Sequence, residues 1–107
     1  MTVEKWVTTV PAITLVEGEL LGVVALGHAL VLIRHEGRLY AFPDQCPHRG
    51  APFSTAGRLS GGLLLCGWHN WTFHLDTGCQ THLDSVCLEA VPIRERDGHL
   101  EVFVKET

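Results

Sequence analysis

The chain reads as an all-β protein, an antiparallel β-sandwich or barrel with a small subdomain inserted in it. Three observations predict this. Short runs rich in β-branched and aromatic residues recur along its 107 residues, separated by turn residues. Three of the separators, Gly27-His28, Glu36-Gly37 and Asp97-Gly98, supply residues that tolerate the positive φ of tight hairpins. No long amphipathic helix period is present.

In chain order, Trp6 to Val10 is the first expected strand, and Pro11 to Glu19 a loop with one helical turn. Leu20 to Leu26, Ala29 to Arg34 and Arg38 to Phe42 are three alternating strands joined by the first two hairpins. Gly62 to Cys66 and Thr72 to Leu75 are shorter strands, and the glycines of Gly57-Arg-Leu-Ser-Gly-Gly62 read as turn residues. Glu89 to Glu95 and Leu100 to Val104 close the chain across Asp97-Gly98. Residues 1–107 are therefore expected to form one domain, with an insertion over about 44–81 between the first strands and the last two.

Eight basic and twelve acidic residues give a net charge of −4, with no basic stripe, which argues against nucleic acid. The start, MTVEKWVTTV, lacks the basic-then-apolar pattern of a signal peptide, and no apolar run approaches a membrane span, so the expectation is a cytoplasmic protein with no membrane contact. Neither G-x-G-x-x-G nor G-x4-G-K-[ST] occurs, so dinucleotide and nucleoside triphosphate binding are not indicated.

The chemistry lies in two short segments, Cys46-Pro-His48 and Cys66-Gly-Trp-His69, each offering one thiolate and one imidazole. Such a set can hold a [2Fe-2S] cluster with two cysteines on one iron and two histidines on the other, each loop giving its Cys to one iron and its His to the other. Cys2His2 is also a zinc set. Structural zinc sites pair like with like, a C-x2-4-C knuckle with an H-x3-5-H turn, whereas each pair here is mixed and the first is separated by a single residue, which favours the cluster. Cys79 and Cys87 lie outside both segments and read as small buried hydrophobes; their separation also permits a bridge.

The segments CPHRGAP and CGWHNWTFHLDTG, with their flanking strands, resemble the Rieske-type ferredoxins and the Rieske domains of ring-hydroxylating oxygenases over most of the chain. The resemblance implies one Rieske-type [2Fe-2S] cluster per chain on Cys46, His48, Cys66 and His69. It also implies a one-electron carrier of a multicomponent aromatic-ring oxygenase, serving an NAD(P)H-dependent flavoprotein reductase and a terminal oxygenase, either a Rieske dioxygenase or a di-iron monooxygenase. A free monomer without catalytic activity of its own is expected. The alternative is a tightly bound small subunit of a larger oxidoreductase, such as an assimilatory nitrite reductase.

Two ferric ions, two sulfides, two thiolates and two neutral imidazoles sum to zero charge, so an electron is added at less cost than with four thiolates, and histidine ligation raises the potential. High-potential relatives add a disulfide between the ligand loops and two hydroxyl donors. Ala51 and Trp68 stand at the disulfide positions, and Trp71 and Phe73 at the hydroxyl positions, so the potential is expected at the low end of the Rieske range. Arg49 and Trp68 are candidates for a docking face, while Pro47, Gly50 and Pro52 fix loop geometry and Trp71 and Phe73 pack beneath the cluster. The resemblance places a third loop within Ser85 to Pro92. His28, His35, His74, His82 and His99 are off ligand spacing, and Ser54, Asp76 and His82 form no recognisable triad.

Overall fold

The computed structural model describes residues 3–47, 50–67 and 71–106. Among these, the strands are β1 (Val3–Pro11), β2 (Leu20–Ala25), β3 (His28–His35), β4 (Arg38–Pro43), β5 (Gly57–Ser60), β6 (Leu63–Cys66), β7 (Thr72–His74), β8 (Ile93–Arg96) and β9 (His99–Glu106). One helical turn, α1 (Phe53–Ala56), precedes β5, and a 3-10 turn at Ala12–Thr14 comes after β1. The strands form three antiparallel sheets, β1-β9-β8, β2-β3-β4 and β5-β6-β7.

β3 explains the layering. Successive strand residues face opposite sides, and the apolar run 30–33 is buried at every position. Leu30 and Leu32 enter one core with Leu100, Val102 and Val104 of β9, whereas Val31 and Ile33 enter a second core with Phe53, Leu64 and Phe73. The middle sheet is thus covered on both faces, as an unbroken apolar strand requires. The third sheet lies in sequence between β4 and β8, as expected of an insertion.

The three expected hairpins have two-residue turns with both residues at positive φ: Leu26 and Gly27, Glu36 and Gly37, Asp97 and Gly98. This backbone matches the twist of the strands it joins. The first turn is one residue earlier than expected. Ala25 pairs with His28, so Leu26, which reads as a strand residue, occupies a left-handed position at φ 49°.

Three other expectations change. Gly57 to Ser60 is a strand paired with β6, and only Gly61 and Gly62 turn. The segment 89–92 is not a strand: it crosses between sheets, the Val91 N–H donating to the Ala41 carbonyl and the Pro92 carbonyl accepting from Phe103 N–H, while Pro92 has no N–H to continue a ladder. Cys79 and Cys87 are not buried hydrophobes. Cys87 is exposed, Cys79 half-buried, and the two form a disulfide where the chain returns on itself.

The loop after the 3-10 turn is tied to the β3–β4 hairpin by charge. Arg34 donates to the Leu15 and Ala12 carbonyls, and the Glu17 carboxylate accepts from the N–H groups of Glu36 and Gly37 at 2.6 and 3.2 Å. Those two backbone donors hold the Glu17 carboxyl below its ordinary range. A carboxyl depressed on folding contributes stability that is present above its unfolded value and lost as pH falls through the folded one. Glu17→Gln is therefore expected to melt below the parent at neutral pH, with the gap closing in acid. Thermal melts of both proteins across the acid limb test this, and parallel curves would remove the role.

Among the described residues no helix is long and apolar enough to cross a membrane.

Candidate metal centre

Cys46 lies three residues beyond the end of β4 and Cys66 ends β6. Both are buried, at 0% and 1% exposure, in the same apolar core as Phe53, Leu64 and Phe73. Each begins a loop closed in the same way. The Cys46 N–H donates to the Ala51 carbonyl and the Cys66 N–H to the Trp71 carbonyl, both at 2.8 Å. Two loops of equal span thus each present a buried sulfur at one end and, by sequence, an imidazole within.

His48, Arg49, Trp68 and His69 lie outside the described residues. The two cysteines are therefore brought to one core, and the imidazoles and the docking candidates Arg49 and Trp68 rest on sequence.

Neighbouring groups anchor the loops. Asp44, two residues before Cys46, accepts from the Ser54 N–H at 2.8 Å and from the Ser54 hydroxyl, which joins the first loop to α1. The Gly67 N–H, next to Cys66, donates to the Ala56 carbonyl at 2.8 Å, joining the second loop to the other end of α1. Phe73 meets Phe53 edge-on at 5.8 Å and Trp71 at 6.3 Å between ring centroids. Sequence reasoning missed the Asp44–Ser54 and Gly67–Ala56 ties. The motif residue Gly67 was the available signal for the second, and the first had none.

The donor set suits the group the sequence implies: soft thiolates within an apolar shell select iron–sulfur chemistry over hard cations. Among the described residues no group of three or more His, Cys, Asp or Glu gathers elsewhere, so His28, His35, His74, His82 and His99 build no second metal site there.

Residues 5–92 match the Rieske [2Fe-2S] domain family. The chain belongs to that family. Its cofactor is a Rieske-type [2Fe-2S] cluster, as the two Cys–His segments predict. The chain is 30% identical over 73 residues to the ferredoxin component of the alkene monooxygenase system of Xanthobacter autotrophicus, a match covering 68% of this chain and 60% of that one. It is 37% identical over 75 residues to the ferredoxin component of the naphthalene 1,2-dioxygenase system of Pseudomonas aeruginosa, covering 70% of this chain and 71% of the other. The terminal oxygenase of carbazole 1,9a-dioxygenase from Novosphingobium sp. KA1 shares the fold with a TM-score of 0.85 at 27% identity, over 92% of this chain and 29% of the oxygenase. The Rieske chain thus spans less than two thirds of the alkene monooxygenase ferredoxin and less than a third of the oxygenase.

Proposed function

We propose that this protein is a one-electron carrier ferredoxin of an oxygenase system, accepting electrons from an NAD(P)H-dependent flavoprotein reductase and delivering them to a terminal oxygenase. The observation that carries this is the pair of equally closed loops that bring Cys46 and Cys66 to one buried core, each with a histidine in its sequence. Cys46 and Cys66 would hold one iron, and His48 and His69 the other. When bound, a Rieske cluster supplies reversible one-electron chemistry. The apolar shell of Phe53, Leu64 and Phe73 keeps water from the sulfur side. Residues of about 44–81 act as the cluster-binding subdomain of a single domain over 1–107, working as a monomer in the cytoplasm with no catalytic step of its own.

Similarity to two ferredoxin components over about two thirds of the chain supports this reading. The nitrite reductase subunit is not favoured, since these relatives are carriers and the chain keeps all four ligand residues. The test is iron and acid-labile sulfide on the purified chain, followed by reduction through a flavoprotein reductase and reoxidation by a Rieske or di-iron oxygenase. Two irons with sulfide and turnover dependent on this chain are expected, and zinc without sulfide would end the proposal.

The hydroxyls of Tyr40, Ser54, Thr72 and Thr81 have partners of their own. Tyr40, the only tyrosine, donates to Asp76 at 3.3 Å, Ser54 to Asp44, and Thr72 pairs with Thr81 at 2.6 Å. With Ala51, Trp68, Trp71 and Phe73 supplying neither disulfide nor hydroxyl, protein-film voltammetry is expected to give about −150 mV, the low end of the Rieske range. A value above roughly +100 mV would show that other donors stabilise the reduced state.

A further inference from the structure

Cys79 and Cys87 have no task in the carrier reading, yet the structure joins them by a disulfide as an antiparallel pair. Cys87 is exposed, so a dissolved thiol can reach the bond. The residues between them have their own bonding. The Gln80 N–H donates to the Val86 carbonyl at 2.8 Å and the Val86 N–H to Leu83 at 2.9 Å, and the buried Gln80 side chain accepts from the N–H groups of His82 and Leu83. The disulfide is therefore not needed to shape this loop. The residue next to the disulfide is Leu88. Leu88 shares the apolar core with Cys46 and Cys66, and its N–H donates to the Gly78 carbonyl at 2.7 Å. Cys87, Leu88 and Glu89 line a cleft of about 500 Å³ together with Cys46, Pro47 and Gly50 of the first ligand loop.

We propose that Cys79–Cys87 is a thiol-responsive modification site, reduced by a protein dithiol, that clamps the wall of the cleft beside the Cys46 loop when oxidised and releases it when reduced. Exposed disulfides are the labile members of their class, and disulfides of reducing compartments are usually transient. A thiolate of the reductant attacks Cys87 Sγ, the sulfur–sulfur bond breaks, and Cys79 leaves as a thiolate that takes up a proton. The reductant's second thiol then displaces Cys87, so the reductant departs as a disulfide. Two electrons and two protons have passed to the protein.

The consequence for the cluster rests on the carrier reading; the clamp does not. The test uses the full chain as purified, incubated with dithiothreitol without denaturant, and reads alkylatable thiols by mass, amide exchange at Leu88, and iron in the same sample. Two thiols are expected to appear together while Leu88 exchange rises about tenfold, a local opening, and Leu100 and Val102 stay unchanged. A Cys79→Ser/Cys87→Ser double variant is expected to show the fast Leu88 exchange without reductant. A pair that opens only in denaturant, or a reduced chain with unchanged Leu88 exchange, would overturn the clamp. An iron-free preparation in which Leu88 still responds would uphold the clamp and remove the carrier reading instead.

Discussion

Replacing Cys66 by serine is expected to empty the centre, iron falling from about two per chain to near none. In the proposed ligand set the Cys66 thiolate binds iron, and serine's hydroxyl neither ionises at neutral pH nor offers a soft donor. Because serine is close in size and the Cys66 N–H bond to Trp71 is made by backbone, the second loop should still close. The loss is then chemical rather than architectural. A buried hydroxyl without a partner costs about 1–3 kcal/mol, so the variant should also melt lower than the parent. Ser60→Ala is the control, since Ser60 is exposed at the end of β5, outside both proposed ligand loops, and should leave iron content unchanged. Iron, acid-labile sulfide and far-ultraviolet circular dichroism on the two variants decide the matter. If Cys66→Ser retained two irons with a native visible spectrum, the ligand assignment would fail.

The parts of this fold that were legible are those in which one residue type has one physical use. Ala29 to Arg34 was legible as a strand from its β-branched and apolar residues, although its buried run 30–33 does not alternate because β3 separates two cores, and Glu36-Gly37 and Asp97-Gly98 tolerate the positive φ their turns require. Where a residue serves a less common purpose, the pattern misleads. Leu26 takes a left-handed backbone because the pairing of Ala25 with His28 demands it, and nothing in a leucine announces that. Gly57 reads as a turn residue, yet it lies in a strand; a Cβ there would stand 2.8 Å from the carbonyl oxygens of both Phe53 and Leu65. The family was legible because mixed Cys–His pairs are rare by chance, and the structure brings Cys46 and Cys66 of those pairs to one core. The ties that hold their loops were not, since Asp44 with Ser54 is a contact between residues whose separation in sequence carries no signal. The Cys79–Cys87 bond depends on a return of the chain through Gln80 and Val86 that only the three-dimensional path reveals.

Gly67→Ala is expected to damage the second loop more than any other single methyl added to it. A Cβ at this position would lie 2.0 Å from the Ala56 carbonyl oxygen, where ordinary contact begins at 3.4 Å. The obstacle is backbone at the end of α1, and the same oxygen accepts the Gly67 N–H at 2.8 Å. No side chain can swing aside to make room. The loop must retreat by more than an ångström, which breaks that hydrogen bond and moves the neighbouring Cys66 out of its place opposite Gly57. Forced overpacking of this kind costs about 1–3 kcal/mol and occasionally more, and the lost bond adds about 1 kcal/mol. For a domain of this size that corresponds to a fall in Tm of about 10 °C or more. Gly62→Ala provides the comparison: it has no positive φ and nothing within 4 Å of its added Cβ, so its effect should stay within about 1 kcal/mol. Melting temperature and iron content together distinguish the causes. Loss of both in Gly67→Ala, with both kept in Gly62→Ala, is the expected result. A Gly67→Ala protein that melts and binds iron as the parent does would mean that α1 yields, and that the Gly67–Ala56 bond does not position the second ligand loop.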